Sequence, residues 1–223
     1  VDSGFVVSVK TPRVGRAYLL LGRPDHELPS TGLTLGGAGT DLLLQDVDLG
    51  GSIAAIGDAN RDGYDDFAIG QDMIEGGASQ GSVFVFLGAD DIEAAAPVTA
   101  SDRSDLRFDR IGPTELPEGF LLDAPMSITA GDFDGDGSAD LAVGEVQRVL
   151  AQPHESDPLQ RVVLDADKRG RVSIFSSFLT RGPESSFAEA DVVFQGERQI
   201  DRLGTVAATP NIDLDGDGVD DLL

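Results

Sequence analysis

The chain has 223 residues, 40% of them hydrophobic, which is enough to bury a sizeable core. Its 40 acidic residues against 16 basic ones give a formal charge of -24, so nucleic acid and anionic membrane are poor partners. The absence of cysteine excludes disulfides and thiolate metal sites, and no apolar run approaches the ~18 residues of a membrane span.

Short β-branched and apolar runs, punctuated by Gly or Asp-Gly, predict many short antiparallel strands. Taken in order, the first is a glycine-led run at 15–22, followed by a weaker one at 33–35. A run at 52–56, an acidic loop and a run at 66–70 come next, then a glycine-led run at 81–88 and a weaker one at 106–108. The same series returns at 127–130, 140–144, 170–175 and 192–194. It opens again at 205–208 and 221–223. Helical turns are expected only within 90–96 and 177–190. In this repeat each acidic loop joins strand A to strand B, the glycine-led run is C and the weaker run is D.

The three loops begin 74 and then 81 positions apart. Four antiparallel strands per repeat at this period predict an all-β fold of propeller blades. Residues 1–48 would end one blade, 49–110 and 111–195 would each form a blade, and 196–223 would start another. About three blades make a partial propeller, since closure needs at least four. The remainder is expected from the full-length chain or another subunit, with Val1 marking a processed product or a fragment.

The acidic loops carry the chemistry. Asp58, Asn60, Asp62 and Asp66 occupy positions 1, 3, 5 and 9 of the first, with Gly63 at position 6. Asp132, Asp134, Asp136 and Asp140 surround Gly137 in the second, and Asp213, Asp215, Asp217 and Asp221 surround Gly218 in the third. Oxygen donors on alternate residues around a glycine turn suit a hard cation, Ca2+ above all, at three sites. An EF-hand or dockerin loop needs a carboxylate at position 12, where this chain has Ile69 and Val143 in expected strands. Three divalent ions would offset only six charges, leaving an acidic surface.

These features resemble the FG-GAP repeat family, the blades of the integrin α-subunit propeller and its bacterial relatives. The matching pieces are the three loops, Leu49-Gly50, Leu203-Gly204, Ile69-Gly70, Val143-Gly144 and the strand holding Phe84 and Phe86. The family's Gly-Ala-Pro is replaced by Gly70-Gln71-Asp72 and Gly144-Glu145-Val146, and no apolar-Gly pair precedes Ser127. The resemblance implies that the carbonyls of Tyr64, Ser138 and Val219, at position 7, join the side-chain ligands. The cation is then structural, because the ligand set is filled by protein and calcium activates water weakly.

Other motifs carry less. Gly77-Ala78-Ser79-Gln80-Gly81 matches a nucleophile elbow but lacks the strand before and helix after it, so it reads as a turn. The two histidines, His26 and His154, cannot build a multi-histidine zinc site. Arg61-Asp62-Gly63 is not Arg-Gly-Asp, and Asp62 belongs to a cation loop. The loop-to-C-strand distance is 23 residues in one blade and 38 in the next, which marks 145–169 as an insertion between strands B and C. Hairpins alternate ends, so it should project from the face opposite the calcium loops, where the resemblance implies protein or glycan partners; the alternative is a surface insertion tolerated because loop growth costs little. The expected function is a non-catalytic, extracellular adhesion or protein-interaction module, since cytosolic calcium would leave such sites empty. The alternatives are a non-catalytic propeller part of a secreted hydrolase or carbohydrate-active enzyme, and a lectin-like propeller, which the lack of Trp disfavours.

Overall fold

A computed structural model describes residues 14–19, 42–74, 81–92, 97–110, 121–124, 126–146, 148–150, 153–154, 157–161, 170–198, 203–206 and 212–223. The first strands are β1 (Val14–Leu19) and β2 (Leu42–Val47), paired antiparallel. Next come β3 (Leu49–Gly57), β4 (Asp66–Gln71), β5 (Met73–Ile74) and β6 (Ser82–Phe86). Strand β7 (Val98–Thr99), the short helix α1 (Ala100–Arg103) and β8 (Leu106–Asp109) complete that stretch. There follow β9 (Leu121–Ala124), β10 (Met126–Gly131), β11 (Asp140–Glu145), β12 (Arg148–Leu150), β13 (Pro153–His154) and β14 (Asp157–Arg161). The last strands are β15 (Arg171–Phe175), β16 (Glu184–Ser186) and β17 (Val192–Gln195).

Two four-stranded antiparallel blades result, β3-β4-β6-β8 and β10-β11-β15-β17. The pair β1-β2 is the outer half of a preceding blade. Blades pack face to face, which explains why β6 reads as an unbroken apolar run rather than an alternating one. Its Val83 and Val85 point into a core shared with β10, β11 and Phe175, Phe178 and Phe187. Its Phe84 and Phe86 point the other way, into a core with Ala17, Leu42 and Leu44 of the preceding blade. The period of two puts successive side chains on opposite faces, and here both faces are dry.

The parallel pairings were not expected. Strand β7, in the connection between C and D, pairs parallel with β2 of the preceding blade, Leu44 beside Val98. Strand β16, in the equivalent connection of the next blade, pairs parallel with β8, Ser185 beside Phe108. Strands β2 and β8 thereby have backbone partners on a side that would otherwise be an open sheet edge.

Some expectations are met, some are corrected, and some fall outside the described residues. In the first repeat the strand beside β1 is 42–47, while 33–35 lies outside the described residues. Of the helical turn at 90–96, a turn at 90–91 is seen and 93–96 lies outside the described residues; a helical turn that was not expected falls at Ala100–Arg103. Within 177–190 two 3-10 turns form, at Phe178–Thr180 and Phe187–Glu189. In the last repeat Val206 is buried without joining a strand, 207–208 lies outside the described residues, and 221–223 has no strand pairing. The Ser79 motif and His26 also lie outside the described residues, and His154 falls in β13.

The residues that replace Gly-Ala-Pro tie blades together. Gln71 Nε2 donates to the Val47 carbonyl at the end of β2, 2.7 Å away. In the next blade, fully buried Glu145 holds Arg110, just past β8, through one carboxylate oxygen and Arg171 through the other. Burial pushes the Arg110 guanidinium below its ordinary pKa, and Glu145 opposes that shift. Both ties reach the end of the preceding blade's outermost strand.

Candidate metal centre

The first two acidic loops close antiparallel hairpins, β3-β4 and β10-β11. Two positions in each loop must turn sharply. Glycine fills position 6 throughout, with φ of +95° at Gly63, +82° at Gly137 and +88° at Gly218. Position 4 is also left-handed, at Gly135 (+74°), Gly216 (+82°) and, without the freedom of glycine, Arg61 (+62°).

The hydrogen bonds repeat from loop to loop. The position 1 carboxylate accepts from the position 6 N–H: Gly63 to Asp58 at 2.9 Å, Gly137 to Asp132 at 2.8 Å and Gly218 to Asp213 at 2.9 Å. Position 3 accepts from the N–H of position 5, as in Asp136 to Asp134 at 3.1 Å and Asp217 to Asp215 at 3.2 Å. Position 5 accepts from the N–H of position 7, where Tyr64 reaches Asp62 at 2.9 Å, Ser138 reaches Asp136 at 2.6 Å and Val219 reaches Asp217 at 2.8 Å. Every second side chain is thereby turned inward by the backbone ahead of it. The backbone N–H of Ser138 and the Ser177 hydroxyl hold the Asp136 carboxyl below its ordinary pKa, and the Gly218 N–H does the same for Asp213.

Position 9 behaves differently. Asp66 and Asp140 are buried, and each accepts a backbone N–H on both oxygens. Asp140 takes Phe133 N–H at 2.9 Å and Ser177 N–H at 2.8 Å; Asp66 takes Ala59 N–H at 2.9 Å and Gly88 N–H at 2.8 Å. Burial raises the pKa of both carboxyls despite these donors. Asp221, half-buried, accepts Leu214 N–H at 2.5 Å. This residue fastens the loop to its own start and, in the two complete blades, to the connection after strand C.

The donor set fits a hard divalent cation. Carboxylate oxygens of Asp132, Asp134 and Asp136 lie within 4.8 Å of one another, as do those of Asp213, Asp215 and Asp217. In the first loop the matching trio is Asp58, Asn60 and Asp62, with Asn60 Nδ2 donating to Asp62 Oδ2 at 2.8 Å. Asp132 Oδ1 is shielded from solvent and has no hydrogen-bond partner among the described residues, a costly state that a bound cation relieves. Such a cation supplies the positive charge that clustered carboxylates lack.

Three further contributors lie outside the ligand positions of the acidic motif. Ser177, in a left-handed conformation after β15, donates its hydroxyl to Asp136 at 3.0 Å. Asp220 of the third loop accepts the Asp132 N–H at 2.9 Å and donates its own N–H to the Asp132 carbonyl at 2.9 Å. Arg61 donates to the Gly137 carbonyl of the second loop. Only Arg61 was discoverable by aligning the loops, as the odd residue where the others have glycine.

Residues 124–146, strands β10 and β11 with the second loop between them, match the FG-GAP repeat family. Mouse integrin α-IIb is 35% identical over 162 residues, covering 70% of this chain and 14% of that protein. Human integrin α-IIb is 35% identical over 163 residues with the same coverage, and Drosophila melanogaster integrin α-PS5 is 33% identical over 95 residues, 43% of this chain. The chain thus spans about 14% of the length of the α-IIb subunits it matches. By its blades, its acidic loops and this similarity, the chain belongs to the FG-GAP repeat, integrin α-like family.

Proposed function

We propose that this chain is a calcium-stabilised section of an extracellular β-propeller that serves as a non-catalytic adhesion or protein-interaction module. The observation that carries the reading is the shared hydrogen-bond ladder of the three loops, which aims positions 1, 3 and 5 of each inward. Calcium at all three loops takes the side chains at positions 1, 3, 5 and 9 and the position 7 carbonyl. Modules outside the cell bind calcium at about 0.1–1 mM. At ~1 mM free ion and a Kd of ~0.1 mM, each filled site adds roughly 1.4 kcal/mol of stability.

The partner surface is assigned to the blade ends away from the loops. Strands β4 and β11 leave their loops at Asp66 and Asp140, and their far ends lead into β5 and β12. These two flank β9 in a separate antiparallel sheet, order β12-β9-β5, and the hairpin β13-β14 follows within the 145–169 insertion. An added sheet at one end of a propeller is a platform suited to a protein or glycan partner. Among the described residues no helix is long and apolar enough to cross a membrane. The test is partner capture by the full-length protein with residues 147–169 replaced by a short Gly-Ser linker. Lost capture with unchanged calcium-dependent melting supports this face, and retained capture contradicts it.

A further inference from the structure

We propose that the first and second loops bind cations as a coupled pair, with Arg61 as the connection between them. The inference rests on the calcium reading above and goes beyond it, since independent sites would satisfy that reading equally well. Arg61 stands at position 4 of the first loop with φ +62°, a conformation the other loops meet with Gly135 and Gly216. A residue with a Cβ is disfavoured there, and its side chain is spent on a contact outside its own loop.

That contact lands on one peptide unit of the second loop. The Arg61 Nη2 donates to the Gly137 carbonyl. The N–H of the same peptide belongs to Ser138 and donates to Asp136 Oδ1 at 2.6 Å. Asp136 is thus aimed by a peptide whose other end is held by the neighbouring loop. The Arg61 backbone is itself framed by the first loop's donors, since the Asp62 N–H reaches Asp58 at 2.9 Å and Asn60 at 3.0 Å. The two loops face each other across a cleft of about 320 Å³ bordered by Asn60, Arg61, Ser138 and Ser177.

A cation in either loop fixes that loop's backbone and, through Arg61, part of the other. The second ion then meets donors that are already ordered, which is positive coupling without any change of fold. Coupling between binding sites is reciprocal, so it can be read at whichever loop is easier to observe.

The first loop has its own reporter. Tyr64 stands at position 7 of this loop, two residues after Asp62, so terbium bound here is expected to be sensitised by its phenol. Terbium is titrated into the full chain while Tyr64-sensitised emission is followed, with Tyr64→Phe identifying the signal. The second loop is then disabled by Asp134→Ala and, separately, by the near-isosteric Asp136→Asn, so that a folding defect in one does not decide the outcome. Either change is expected to move the first-loop midpoint to about fivefold higher terbium. In an Arg61→Gly background the same changes should leave the midpoint in place. Equal shifts in both backgrounds, or no shift with Arg61 present, overturn the coupling. Absence of both terbium emission and calorimetric calcium binding in the unaltered protein instead overturns the calcium reading, and the coupling with it.

Discussion

Asp136 and Asp140 belong to one loop and look alike in the sequence, yet they do different work. Asp136 is exposed and turned inward by Ser138, so most of its contribution depends on a cation being there. Asp140 is buried and satisfies two backbone N–H groups that have no other partner shown. With a chelator present, Asp140→Ala should therefore cost about 2–4 kcal/mol, while Asp136→Ala should leave stability nearly unchanged. Chemical denaturation of both variants without calcium checks this; equal losses would contradict the division of roles. Glu145 is a third kind of acidic residue, buried between two guanidinium groups. Glu145→Ala should destabilise by about 3–5 kcal/mol, because it leaves Arg110 charged and buried. Glu145→Gln should cost less, and thermal melting of the pair measures the difference.

The hairpins were legible because their code is local. Residues 58–66 and 132–140 state their turns, donors and flanking strands within nine positions, and β4, β6, β11, β15 and β17 fall where apolar periodicity puts them. What joins one blade to the next was not legible. Strands β7 and β16 are two and three residues long, and the polar sequence Glu184-Ser185-Ser186 has no strand character until a neighbouring sheet edge supplies partners. Gln71 and Glu145 read in the sequence only as departures from the family pattern, whereas the fold uses them as ties. Gly170 illustrates the same limit: a Cβ there would lie 1.7 Å from the Leu203 carbonyl oxygen, a clash with a residue 33 positions away. Gly170→Ala should accordingly destabilise by about 2–4 kcal/mol, combining that overlap with a positive φ. Denaturant unfolding measures it, and a loss under about 0.5 kcal/mol would show that this approach of blade to blade is not needed.

Across the molecule, acidity and cation binding should give stability opposite slopes with pH. Without calcium, Asp66 and Asp140 have raised folded pKa values, so the folded state takes up protons more readily than the unfolded one. Their part in stability therefore increases as pH falls from 7 through the raised values. Asp136 and Asp213 act in the other sense, losing their stabilising part only below the ordinary carboxyl range. With calcium, protons compete with the ion for the same oxygens, and stability falls as pH drops. Melting curves at several pH values, with calcium and with chelator, should converge on acidification; parallel curves would mean that the carboxylates do not hold the ion. The most direct test is the calcium stoichiometry of the full chain compared with three variants, Asp62→Ala, Asp136→Ala and Asp217→Ala. Isothermal titration should show each variant losing one equivalent relative to the unaltered protein, and chelation should lower the melting temperature by several degrees. An unchanged stoichiometry in the variants, or a melting temperature indifferent to chelator, would contradict a propeller section held by calcium in its three loops.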